Sequence, residues 1–313
     1  MTTGSEYHAP VLLHDCVDAL RIREGGIYVD VTFGGGGHSR AILEKLDKSG
    51  SLVAFDRDKD AWKNATSLGP SGGGMKDDPR FTLVKADFRW LKNHLRFLKK
   101  LPIAGLLADL GVSSHQFDTG SRGFSFRFDG PLDMRMDHRA KKSAADLVNS
   151  YDDARLAELL RTYGEVDNAM RVAKAITSAR ATKRITTTQQ LLAALKPVTP
   201  RQGESSFLAQ VFQALRIAVN DELGSLEALL KQSAEVIRPG GRLVVMSYHS
   251  LEDRMVKNWM RSGDFSGEEK KDLYGNRIRP FEPDSNKATQ PGEDELIRNP
   301  RARSARLRTA TRL

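Results

Sequence analysis

A chain of 313 residues, 39% hydrophobic and 28% charged, has an ordinary globular composition; it is long enough for one large domain with an insert or for two, which excludes extensive disorder. The net charge of +9 points toward a polyanionic partner. No apolar stretch approaches the roughly 20 residues of a membrane helix, the N-terminal MTTGSEYHAPVLLHDCVDAL lacks a leader's basic-then-apolar plan, and the single Cys16 excludes an intrachain disulfide, so a cytoplasmic enzyme without a metal site is expected.

In chain order, GIYVDV (26–31), GSLVAFD (50–56), RFTLVKAD (80–87) and IAGLLADL (103–110) read as short buried strands, with HSRAILEKL and DAWKNATSL as helices between the first three. That alternation implies a parallel sheet with right-handed crossovers. GPSGGGMKDDP is a loop by composition. From Phe117 to Glu204 the strand signal stops, and SAADLVNSY, DDARLAELLRTYG, DNAMRVAKAITSAR and TTTQQLLAAL are amphipathic at helical spacing with Ser, Asp or Thr available as caps. Two more helices follow, SFLAQVFQALRIAVNDEL and SLEALLKQSAEVI, the second closed by RPGG. Then GRLVVMSYHS restores a strand and LEDRMVKNWM a helix. The expected plan is a discontinuous sheet domain, 1–116 and 205–313, interrupted by a helical domain at 117–204. A basic tail, 297–313, ends the chain: no acid follows Glu295, while Arg298, Arg301, Arg303, Arg306, Arg308 and Arg312 form an electrostatic footprint for phosphates. A merely solvated tail would look the same.

The stretch TFGGGGHSR (32–40) sets four glycines directly behind the first strand. Glycine loses the most conformational freedom on folding, so such a run implies a backbone in close approach to a ligand. The pattern Asp30, Thr32, Gly34, Gly36 is close to the acid-x-Gly-x-Gly-x-Gly loop of adenosylmethionine-dependent methyltransferases, with Thr32 in the first glycine place. A dinucleotide loop would need a third glycine where Ser39 stands. Asp56 ends the second strand about 20 residues on, where a carboxylate can hold both ribose hydroxyls; capping the next helix is the bland alternative. Asp87 and Phe88 follow the third strand at the same edge, the ring suited to adenine or to the core. The fourth strand brings Asp109, with Ser113, Ser114 and Gln116 behind it.

With these blocks on view, TFGGGGHSR, DLGVSS, RGFSF, GPLDMRMD, FQALRI, SYHSLEDR and NPRARS together resemble the MraW-type ribosomal RNA methyltransferases over nearly the whole chain. The resemblance implies an α/β, Rossmann-like class I methyltransferase sheet with an inserted all-helical domain for RNA recognition. It implies S-adenosyl-L-methionine held by Gly36, Gly37, His38, Asp56, Phe88, Asp109 and Gln116. It implies methylation of the exocyclic N4 amine of a cytidine in the decoding centre of 16S rRNA, with the small ribosomal subunit as partner. A homodimer is left open, and no membrane is involved. His115 stands where relatives commonly carry proline, a departure that touches RNA contact rather than the reaction.

Cytosine's exocyclic nitrogen is a poor nucleophile until its hydrogens are hydrogen-bonded, a role suited to a carboxylate. Asp109 is the first candidate, with Ser113, Ser114 and His249 as further catalytic candidates and Tyr248 as a stacking surface for a splayed base. His249 reads equally as a helix cap. RGFSFRFDGPLDMRMD, with Arg122, Phe124, Phe126 and Arg127, reads as part of a lid or as a packed connection. Rival readings are a nicotinamide oxidoreductase, a methyltransferase for another RNA, protein or small molecule, and a non-catalytic ribosome assembly factor.

Overall fold

A computed structural model describes residues 10–66 and 74–313, without the side chain of Ser114, and divides into two compact units: 1–111 with 223–313, and 112–222. The N-terminal residues and the glycine stretch at 69–73 lie outside the described residues.

The first unit begins α1 (Leu13–Ala19), β1 (Ile27–Asp30), α2 (Gly37–Lys45), β2 (Ser51–Phe55), α3 (Lys59–Asn64), β3 (Phe81–Val84), α4 (Leu91–Phe97) and β4 (Ile103–Asp109). The second unit holds α5 (Ser114–Asp118), α6 (Ala144–Ser150), α7 (Asp153–Gly164), α8 (Ala169–Thr182), α9 (Thr188–Leu195) and α10 (Glu204–Asn220). The chain then completes the first unit with α11 (Glu222–Val236), β5 (Ile237–Ser247), α12 (Ser250–Ser262), β6 (Phe281–Pro283), α13 (Glu293–Arg298) and β7 (Arg306–Arg312).

The seven strands lie in the order β3-β2-β1-β4-β5-β7-β6. β1 to β5 are mutually parallel, while β7 runs antiparallel to both β5 and β6. This is an α/β, Rossmann-like sheet. Its central strands are apolar without interruption because both faces are covered. Leu52, Ala54, Leu107, Val244 and Met246 point to the side of α1 and α2. Val53, Phe55, Leu106, Ala108, Leu243 and Val245 point to the side of α4, α11 and α12. No helix among the described residues is long and apolar enough to cross a membrane.

The segment read as a basic tail is not a tail. Residues 306–312 form β7, inserted between β5 and β6, with Leu307 and Ala310 buried. Threonines at 309 and 311 suit the pleat, and arginines stand at 306, 308 and 312. Arg308 donates to both carboxylate oxygens of Asp253, from Nε at 2.7 Å and Nη2 at 3.1 Å. Arg312 donates to the carbonyls of Ala234 and Pro280, each at 2.9 Å.

In the helical unit the caps fall where the sequence offers them. Ser143, Asp152 and Thr187 each accept a backbone N–H at the start of α6, α7 and α9. One boundary differs from the sequence reading, which left residues 205–222 with the sheet. α10 packs instead on α7, because Gly164 lets the helices meet; a Cβ there would lie 2.7 Å from the Gln210 carbonyl and 3.0 Å from Ala214 Cβ. Asn220 then pins the connecting segment, accepting from Met136 N–H at 2.8 Å and donating to the Met134 carbonyl at 2.7 Å. Phe124, Leu132, Met134 and Met136 are buried in this unit's core, and Arg122 is buried with its guanidinium on the Arg135 carbonyl at 3.0 Å. The RGFSF and LDMRMD motifs are thus packed into the core of the helical unit.

On β5, Arg242 is 2% exposed. It donates from Nε to the Ala19 carbonyl at 2.8 Å and pairs through both terminal nitrogens with Asp284. Arg242→Met removes a buried guanidinium from the exposed Asp284 carboxylate and leaves the Ala19 carbonyl unmet, and is expected to destabilise the protein by about 1 to 2 kcal/mol, read as a lower urea midpoint with unchanged slope.

Candidate active site at the carboxyl edge of the sheet

The carboxyl ends of β1 to β4 share one edge, and the strand order reverses between β1 and β4. In open sheets of this kind the crevice at such a reversal is where ligands bind. β1 ends there on Asp30, 1% exposed. Its Oδ1 accepts from the Thr32 N–H at 3.0 Å and the Thr32 hydroxyl at 3.3 Å, and its Oδ2 accepts from the Ser39 hydroxyl in α2 at 2.7 Å. Desolvation raises the Asp30 carboxyl above the ordinary aspartate value, and the Ser39 and Thr32 hydrogen bonds pull the other way. Asp30 is therefore a clamp on the glycine loop. Thr32, in the first glycine place, is used for its hydroxyl, which accepts the backbone N–H of Asp109 at 2.7 Å.

The loop needs its glycines for conformation and for space. Gly36 takes φ +78° at the N-cap of α2, and a Cβ there would meet Met75 Cε at 2.6 Å and Phe33 Cζ at 2.9 Å. At Gly37 a Cβ would lie 2.2 Å from Pro10 Cγ. The turn brings the start of α2 to the crevice, where its N–H groups favour negative charge.

Asp56, just past β2, is bonded to that loop. Oδ2 accepts the Gly34 N–H at 2.8 Å and Oδ1 the Asp58 N–H at 2.8 Å. Burial pushes its carboxyl up to about 6 despite the two N–H donors. Phe88 opens a short helical turn after β3, half-buried against the core. Asp87 beside it is taken up by structure: it accepts from Arg57 Nη1 at 2.9 Å, from the Arg89 N–H at 2.9 Å and from Ser225 at 3.3 Å.

At the end of β4, Asp109 joins two side chains. The Tyr248 hydroxyl donates to Oδ1 at 2.8 Å, and His38 Nδ1 lies 3.7 Å from Oδ2. Desolvation, opposed by His38 and by the Tyr248 hydrogen bond, raises Asp109 to about 6. The same burial lowers His38, against the pull of Asp109, and so favours the neutral imidazole. His38 Nε2 is buried without a hydrogen-bond partner among the described residues.

The β4–β5 register pairs Asp109 with Met246. It brings Tyr248 to Asp109 by its hydroxyl, where the sequence suggested a stacking ring. His249 is the N-cap of α12, its Nδ1 accepting the Glu252 N–H at 3.4 Å. Glu252, 3% exposed, accepts in turn the Tyr248 N–H at 3.0 Å. Sequence reasoning missed this role of Glu252, although an acid three residues after a capping side chain is a recognisable signal. In the helical unit, Ser113 and Gln116 form a capping box on α5: the Gln116 N–H donates to Ser113 Oγ at 3.3 Å and the Ser113 N–H to Gln116 Oε1 at 3.0 Å. The Ser114 side chain lies outside the described residues. Of the arginines assigned to RNA, Arg298, Arg301, Arg303 and Arg306 are exposed, whereas the Asp253 pair withdraws Arg308 from phosphate.

Comparison with known proteins follows the same lines. The sequence model of the MraW methylase family matches residues 5–313. A protein of Cytophaga hutchinsonii named Ribosomal RNA small subunit methyltransferase H is 53% identical over 306 residues, 98% of this chain and 99% of that one. Its namesake in Phocaeicola vulgatus is 51% identical over 304 residues, 97% of each chain. Among solved structures, an rRNA methylase from Streptococcus thermophilus is 14% identical with a TM-score of 0.43, covering 98% of this chain and 99% of that one.

The elevated Asp109 predicts a stability signature. The folded state holds this proton more tightly than the unfolded chain, so stability falls as pH rises from about 4 to about 6 and is level above. Asp109→Asn removes the penalty: at pH 8 it is expected to stabilise the protein by about 2 kcal/mol, with the gain vanishing below pH 4 in urea titrations.

Proposed function

The chain belongs to the MraW methylase family, and from that premise we propose that it methylates the exocyclic N4 amine of a cytidine in the decoding centre of 16S rRNA, acting in the cytoplasm on the small ribosomal subunit. The coarser statement is that it is an S-adenosylmethionine-dependent methyltransferase for small-subunit rRNA. The observation that carries the finer reading is Asp109: a desolvated carboxylate at the strand reversal, oriented by Tyr248 and facing the cleft edge beside the glycine loop.

The residues of the crevice fit the donor. Asp56 has lone pairs left beyond its two backbone N–H bonds, and would hold the ribose hydroxyls. Phe88 would lie against adenine, and Gly36 and Gly37 would present backbone N–H groups. His38 Nε2, a buried polar atom without a partner among the described residues, would be satisfied by the donor's polar end, since leaving it unmade is costly. When bound, S-adenosylmethionine supplies a methyl carbon already activated by its sulfonium.

The chain's own work is on the acceptor. Asp109 accepts hydrogen bonds from the amine, which localises the nitrogen lone pair, and takes the proton that the nitrogen sheds once methylated. Its carboxyl near 6 keeps it ionised at neutral pH yet basic enough for that transfer. Tyr248 holds the carboxylate in one orientation. Ser113 contributes as a cap rather than as a base, and so does His249. A paired base cannot reach such a crevice, so the target is single-stranded or flipped. The helical unit and the exposed arginines Arg298, Arg301, Arg303 and Arg306 serve the surrounding RNA.

The test is transfer of labelled methyl from S-adenosylmethionine to small subunits lacking the modification, with nucleoside analysis of the product. Wild type is expected to give N4-methylcytidine, with a rate that declines below about pH 6. Asp109→Asn is expected to lose about 10²- to 10⁴-fold in turnover while still binding the donor by calorimetry. Label on another nucleoside or on protein overturns the substrate, and an undiminished Asp109→Asn rate overturns the role.

A further inference from the structure

Away from the crevice, the outer side of α4 is a surface of one sign in the sheet unit. From Phe88 to Lys100 the chain carries Arg89, Lys92, Arg96, Lys99 and Lys100 and no aspartate or glutamate. Leu91 and Leu95 turn inward and are fully buried, which leaves the opposite side of the helix to water. Two large aromatic rings are exposed at its ends, Trp90 at 55% just before the first residue and Phe97 at 84% as the last. Seven residues apart, they lie about 10 Å from each other along the axis.

Three of the five cations are engaged: Arg89 with Asp87 and Ser225, Lys92 with Glu235, and Lys100 with Ser51 Oγ at 3.2 Å. Arg96 and Lys99 are exposed and have no ion pair among the described residues. Lys99 is also firmly mounted. It takes φ +56° where the helix closes, with its N–H on the Arg96 carbonyl at 3.1 Å and the Lys100 N–H on the Leu95 carbonyl at 2.9 Å. Glycine is favoured at that position, so the lysine is held there against the usual backbone preference. Trp90 stands at the sheet edge that carries the crevice, two residues after Phe88, and α4 runs from there toward the opposite edge, where Lys100 meets Ser51 at the start of β2.

We propose that this face of α4 binds the RNA strand that flanks the methylated base, with Trp90 and Phe97 stacking on unpaired bases and Arg96 and Lys99 on phosphates. The inference rests on the reading of the substrate as rRNA. Exposed aromatics interleaved with unpaired cations, in a stretch without acids, are the combination that holds single-stranded RNA. A second copy of the chain is disfavoured as occupant, because a twofold contact through this face would set Arg96 and Lys99 against their own images.

The experiment uses the full chain with two probes, small subunits lacking the modification and a 16S rRNA fragment, across a range of salt concentrations. Phe97→Ala is expected to weaken binding about tenfold through lost stacking. Arg96→Gln with Lys99→Gln is expected to reduce the slope of log affinity against log salt by about 1.4, two phosphate contacts at about 0.7 each. KM for subunits rises in both variants, while kcat at saturation and donor affinity stay at wild-type values. All three side chains are exposed, so folding is not at stake. Wild-type affinity and slope in both variants overturn the proposal, as does a loss of self-association in sedimentation with RNA binding intact, which would make the face a contact between copies. If wild type methylates no subunit RNA but the variants still lose RNA affinity, the surface stands and the substrate reading falls.

Discussion

A buried carboxylate met by neutral donors holds the crevice together. Asp30 is out of water at the end of β1 and, among the described residues, is compensated by neutral donors from Thr32 and Ser39. Burying an ionisable group is costly unless its hydrogen bonds are met, and here meeting them dictates the course of nine residues of chain. The loop must turn tightly enough to return Ser39 to Asp30, which is why glycine occupies the turn. Once turned, Thr32 receives the Asp109 N–H and Gly34 donates to Asp56, so both strand-end acids are tied to one knot. Burial raises both carboxyls, opposed at Asp109 by His38 and the Tyr248 hydroxyl and at Asp56 by the N–H groups of Asp58 and Gly34.

The parallel part of the fold was legible because its strands are covered on both faces and therefore read as unbroken apolar runs. Asp56 and Asp109 were legible for the related reason that a strand-terminal acid at the edge of such a sheet is conspicuous. Tyr248 was legible only as a residue type. Its bond to Asp109 depends on the register of β4 against β5, set across 139 intervening positions. β7 was hidden by composition, since a strand of arginine and threonine looks like a solvated tail until its two neighbours are in place. α4 carried a usable signal in Leu91, Leu95 and Leu98, spaced for one helical face, amid a run of cations that drew no reading.

The charge of the chain is likewise a poor guide until its placement is known. Several arginines are internal fasteners rather than ligands for a polyanion: Arg242 on Asp284, Arg308 on Asp253, Arg135 on Asp133 and Arg216 on Glu222. A planar guanidinium matches a carboxylate in two parallel bonds, which makes arginine the natural residue for such joints. What remains for RNA is the subset that faces water without an acid alongside.

The helical unit also shapes how the molecule assembles. Leu106 pairs with Leu243 across 137 positions, and Leu243 pairs with Ala310 across a further 67. A flexible connection of the first length would make strand association slow, because loop-closure entropy is lost before any pairing is gained. Residues 112–222 are mainly helices with neighbouring helices as partners, so they can condense early from local contacts and leave a compact body in place of a long free loop. β4 then meets β5 at a much smaller loss of chain entropy. The chain entropy lost when β4 pairs with β5 is thus set by the compactness of the insert rather than by its length in residues.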